Sequence, residues 1–131
     1  MYNLTMFSKR VYAGVLIITA SAALVLFILA NHSAPSPQDT VTMVLTDKGF
    51  MPNEVFVRKG GTVTFTSDTN KQFWPASNNH PSHTIYPQLD PKRPLQPGEH
   101  WTFTFDRVGD WGIHDHIRSY FSAVIHVTAS P

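Results

Sequence analysis

Past residue 39 the chain is written in period two. The runs "TVTMVL" (Thr40–Leu45), "EVFV" (Glu54–Val57), "TVTFTS" (Thr62–Ser67), "HWTFTF" (His100–Phe105), "DWGIH" (Asp110–His114) and "AVIHV" (Ala123–Val127) are β-branched, aromatic or alternating. That is the signature of half-buried antiparallel strands. Val63 and Phe65 share one strand face, and Trp101, Phe103 and Phe105 another, with threonines between them. The breaks "KGG", "QPGE" and "RVGD" fall between these runs and predict turns. One interval does not alternate: Asp68–Pro97 is rich in Pro, Asn and Ser. Stretches this long in compact domains are usually functional or fold into substructure of their own. With no helical period and no repeat in this region, the pattern predicts an all-β domain, a small sandwich.

Ahead of it the polar positions disappear. Lys9 and Arg10 precede "VYAGVLIITASAALVLFILA" (Val11–Ala30), twenty apolar or small residues without a charge. As a helix rising about 1.5 Å per residue, such a run covers a bilayer core of roughly 30 Å. A cleaved secretory signal is the alternative, but its apolar region is shorter, about 7–15 residues. Cleavage after Ala30 would put Ile28 where a small residue is wanted, and cleavage after Ala34 would put His32 there. The reading is a cytoplasmic N-terminus over 1–10, one N-terminal transmembrane helix over 11–30 oriented by Lys9 and Arg10, a Pro- and Ser-bearing linker over 31–39 and an exported domain over 40–131. The domain is then membrane-anchored on the periplasmic, extracytoplasmic side.

Charge and composition narrow the function. Of ten Lys and Arg, only Lys9 and Arg10 precede residue 35, so residues 35–131 hold eight against all nine Asp and Glu, a net charge near −1. No basic stripe is present, so nucleic acid is not an expected partner. There is no cysteine, which removes disulfides, thiolate catalysis and thiolate metal sites together.

Two segments carry a resemblance. "GFMPNEVFVRKGGTVTFT" is similar to the Gly-Phe-x-Pro and Gly-x-x-Val-x-Phe opening of bacterial cupredoxins, and "LQPGEHWTFTFDRVGDWGIH" to the Pro-Gly, aromatic-x-Phe and Gly-x-aromatic run that leads to their copper loop. The resemblance spans about Val41–Val127 and implies a cupredoxin-like Greek-key β-sandwich with the ligand loops at one end. In that family the closing loop reads Cys-x-x-His-x-x-Met-x-Gly. The corresponding positions here are Asp115, Arg118, Phe121 and Ala123, and the family's first histidine falls near Trp74. A type 1 copper centre needs the thiolate, so the resemblance implies the scaffold without that centre.

Histidines stand nearby instead. His80 and His83 lie in "NHPSH" of the long interval, and His114 and His116 flank Asp115 in "HDH". If the resemblance holds, both pairs meet at the same end, where four imidazoles suit Cu(II) or Zn(II), copper being the expectation and zinc the alternative. Two close histidines alone are ordinary surface residues; the second pair gives the signal its weight. Strand alternation turns Trp111, Ile113 and Asp115 inward and leaves His114 and His116 on the other side or in the opening loop. The histidines are then expected to be solvated, and replacing them to cost little stability. Asp115 is expected as a ligand or, preferably, as part of a polar network with Arg118, His83 or Trp74. Metal affinity should fall by more than tenfold per pH unit between about 7.5 and 5.5 as several imidazoles protonate. No role falls to His32, His100 or His126, and no nucleophile–base set is readable, so no enzymatic activity is expected. Two functions follow: copper handling or delivery with a metal-donor partner, or a metal-free module that contacts a membrane complex.

Overall fold

The computed structural model describes residues 36–130, which are all β. The anchor read over 11–30 lies outside the described residues, and among those no helix is long and apolar enough to cross a membrane. The strands are β1 (Gln38–Thr46), β2 (Gly49–Met51), β3 (Glu54–Ser67), β4 (Pro75–Ser77), β5 (Trp101–Thr104), β6 (Gly109–Asp115) and β7 (Arg118–Thr128). The linker boundary at residue 39 needs correction: Gln38 is already strand, paired with Val57, and Asp39 meets the Arg58 guanidinium at 3.0 Å.

β3 joins the two sheets of the sandwich. Its first half, Glu54–Arg58, pairs in parallel with β7, and its second half, Thr62–Ser67, pairs in parallel with β1 and, over Thr62–Phe65, antiparallel with β5. The full order is β2-β1-β3-β7-β6-β4, with β5 beside β3. The "KGG" run, read as a turn between two strands, is a bend within this one. Gly60 takes φ +88°, and a Cβ on Gly61 would lie 2.8 Å from the Arg58 carbonyl oxygen. Only glycine lets the strand change sheets there.

The alternation places the core as expected. Met43, Leu45, Val63 and Phe65 from one sheet face Val55, Val57, Ile113, Ile125 and Val127 from the other, all buried. At about 1.5–3 kcal/mol for each fully buried large apolar side chain, this cluster is what stabilises a domain without disulfides. The interval Asp68–Pro97 is substructure rather than open loop. It supplies β4, a bridge between Phe73 and Leu95, and the buried side chains of Phe73, Tyr86, Leu89 and Leu95. β4 pairs with β6 from Pro75↔Asp115 to Ser77↔Ile113, which fixes where the rest of the interval begins its excursion.

Candidate metal centre

The last three residues of β6 are buried on both faces. Ile113 and Asp115 point into the sandwich, and His114 points the other way. The expected solvation of that face is corrected by the structure: His114 is 3% exposed and His83 4%. The segment after β4 folds back over the outer face of the sheet. Asn78 N–H donates to the Gly112 carbonyl (3.0 Å), Ile85 N–H to the Asn78 carbonyl (3.0 Å), and Ser77 Oγ to the His83 carbonyl (3.2 Å). Gly112 makes this possible, because a Cβ there would sit 2.5 Å from Asn78 Nδ2.

The fold-back brings His80 and His83 onto His114 and His116, and one nitrogen from each of the four lies within 4.8 Å of the others. Two direct pairs knit them: His80 Nδ1 with His114 Nε2 at 3.2 Å, and His83 Nε2 with His116 Nδ1 at 2.8 Å. The outward nitrogens assign the tautomers. His83 Nδ1–H donates to Asp90 Oδ2 (2.6 Å) and His114 Nδ1–H to Asn78 Oδ1 (3.2 Å), which leaves both Nε2 lone pairs facing inward. His80 and His116 complete the N–H···N pairs as donors. Ring tautomerism alone would turn their lone pairs inward as well. Bonds of about 2.0–2.1 Å to a tetrahedral ion separate ligand nitrogens by roughly 3.4 Å; the two direct pairs lie near that spacing, and the whole set within 4.8 Å.

Asp90, which the sequence reading did not select, organises this centre. It is buried and accepts from His83 Nδ1, from Trp74 Nε1 (2.8 Å), and from both the backbone N–H (2.7 Å) and the ammonium (2.9 Å) of Lys92. Lys92 reaches it twice because its backbone is left-handed, at φ +62°. Burial raises the Asp90 carboxyl, but the donors from Trp74, His83 and Lys92 outweigh it and hold the group ionised, well below the usual carboxylate range. A carboxylate behind a ligating imidazole fixes its tautomer and strengthens it as a donor. Replacing Asp90 by asparagine is expected to weaken metal binding by about 10- to 100-fold. Titration calorimetry on folded Asp90→Asn checks this; unchanged affinity would reduce Asp90 to a packing group.

Burial, then repulsion from the other three imidazoles, pushes His114 down to about 4, and burial followed by repulsion from His83 and His80 lowers His116. Both are therefore neutral at pH 7, the form that ligates. Asp115 lies on the opposite face of β6 from His114. Its Oδ1 accepts from the Trp74 backbone N–H (2.8 Å) and its Oδ2 from Arg118 Nε (2.6 Å), while Arg118 also donates to the Gln72 carbonyl (2.8 Å). His83 is not among its partners, and the Trp74 side chain faces Asp90 instead. Trp74 thus links the two polar centres. Its N–H meets Asp115, its carbonyl accepts from His116 N–H (2.8 Å), and its ring lies 4.4 Å from the His116 ring. His126, given no role, bridges Asp110 (2.6 Å) and Glu54 (2.8 Å) on the outer sheet face.

Among solved structures, the purple cupredoxin of Nitrosopumilus maritimus superposes with a TM-score of 0.59 at 16% identity, over 67% of this chain and 99% of that one. Amicyanin of Paracoccus versutus gives 0.59 at 15%, over 71% and 85%. The fold is that of the cupredoxins. The copper-containing nitrite reductase NirK of Thermus scotoductus carries it too, matching at 0.58 and 20% identity over 76% of this chain but 24% of its own. No protein-family model matches the sequence, and no curated protein does. Set in the cupredoxin fold, the residues present do not fit a type 1 copper, for want of a cysteine. The four imidazoles gathered on the other face of β6 do fit a Cu(II) or Zn(II) ion bound by nitrogen alone.

Proposed function

We propose that this chain is a membrane-anchored, extracytoplasmic cupredoxin-like protein that holds copper through His80, His83, His114 and His116 for copper handling or delivery. The observation that carries the reading is the second layer of the site. Ordinary surface histidines have no buried carboxylate and amide arranged behind them, whereas Asp90 and Asn78 orient His83 and His114 toward a common point. Four protein ligands close a site and leave no position for a substrate, which favours holding over catalysis and leaves the protein outside the enzymes. The cargo supplies charge to be bound; the residues supply neutral donors, orientation and partial exclusion of water. Zinc satisfies the same donors.

A second reading has its own support. No buried side-chain nitrogen or oxygen among the described residues lacks a partner, so the cluster is self-satisfied without metal, as a structural filler in an interaction module would be. Mass spectrometry and titration of the full chain with Cu(II), Cu(I) and Zn(II) separate the two. Tight stoichiometric binding selects copper handling, and a folded protein that takes up no metal selects the module. The copper form is expected to be pale, with the electron paramagnetic resonance of a type 2 centre bound by nitrogen. An intense visible band of the thiolate charge-transfer kind would refute the site.

A further inference from the structure

The proposed copper site is held unequally. His83 is backed by Asp90, His114 by Asn78, and His116 by the Trp74 ring and carbonyl. His80 has no such support. Among the described residues its imidazole meets only other histidines, at 3.2 Å from His114 Nε2 and with ring centroids 5.2 Å from His114 and 4.6 Å from His116. It is also the one exposed member, on the fold-back rather than on the strand.

These differences have unequal consequences when a ligand lets go. Turning His83 outward would remove one of the donors that hold the buried, ionised Asp90, and turning His114 outward would take the half-buried Asn78 amide oxygen's partner away. Turning His80 outward exchanges one N–H···N contact for water. His80 is the exposed member of the four, so an incoming donor approaches along the edge that it occupies.

We propose that His80 is the exchange ligand of this site. It leaves first, and an imidazole nitrogen from a partner protein takes its place while His83, His114 and His116 keep hold of the ion. No electron moves: one nitrogen lone pair replaces another, and the displaced imidazole returns to water in its neutral form. The proposal rests on the copper-handling reading and adds which ligand yields first and the class of donor that replaces it.

The test uses the full chain in detergent, loaded with one equivalent of Cu(II). His80→Ala, with His80→Gln as a variant that keeps bulk but not the imidazole, is expected to bind one Cu(II) about a hundredfold more weakly. A competing chelator should strip it at least about tenfold faster than wild type. Free imidazole at millimolar concentration should slow that loss and restore the four-nitrogen hyperfine pattern. Loss at the wild-type rate, indifference to imidazole, or complete loss of binding in both variants would overturn His80 as the exchange ligand while leaving copper binding by the wild type intact. A wild-type chain that takes up no stoichiometric copper would remove both readings.

Discussion

Asp115→Ala is expected to destabilise the metal-free domain by about 2–4 kcal/mol, toward the lower part of the range for breaking a buried ion pair. Asp115 is fully buried and its partner Arg118 is 15% exposed in its side chain. Removing the carboxylate leaves the Arg118 guanidinium without its anion and the Trp74 N–H without an acceptor. Partial exposure lets Arg118 recover some hydration, which keeps the loss below the full cost of a stranded charge. A double variant, Asp115→Leu with Arg118→Met, should regain part of the stability, because the apolar pair needs no partner while the Trp74 N–H still lacks its acceptor. Urea unfolding followed by tryptophan fluorescence measures both. If Asp115→Ala leaves the midpoint unchanged and abolishes metal binding, Asp115 is a ligand and its role as a plug inside the sandwich is wrong.

That plug shows what the sequence carried and what it withheld. Strand alternation was legible because it reports a local property, the face on which each residue falls, and it turned Asp115 inward and His114 away from it. What alternation cannot report is whether the far face is covered. His114 and His83 are buried because Asn78–Asp90 folds back over β6, and that depends on Gly112 lacking a Cβ and on the Ser77 hydroxyl bridging the turn. Neither residue has a signature of its own in the chain. Asp90 was missed for a related reason. In "HTIYPQLDPK" nothing periodic ties it to His83, and only the left-handed Lys92 and the indole of Trp74, sixteen residues earlier, reveal it as a hub. β2 and β4, at three residues each, are too short to show a period. The bend at Gly60–Gly61 looked like a turn because glycines mark both.

Acidification should unfold the metal-free protein by way of His114, and the sign follows from its burial. Its folded value, about 4, lies below the ordinary imidazole value of 6.5, so between these two the unfolded chain binds the proton and the folded one does not. Stability is therefore fully present above about pH 6.5 and declines as pH falls toward 4, by about 2–4 kcal/mol over that window. His116, also lowered, adds in the same direction. His126 acts oppositely. Its bond to Asp110, against a smaller burial effect and with help from Glu54, raises it. Its contribution is present in acid and lost as pH rises through the raised value, but it is small because both carboxylates are largely exposed. Asp90, held low, remains ionised throughout. The same neutrality changes the expected pH dependence of metal affinity. His114 and His116 compete less for protons between pH 7.5 and 5.5 than free imidazoles would, so their share of the loss moves to lower pH. Unfolding free energies of the metal-free protein at pH 7, 5.5 and 4.5, beside those of His114→Gln, decide the point. The variant should lose most of the acid dependence, and an unchanged slope would assign the acid sensitivity to other groups.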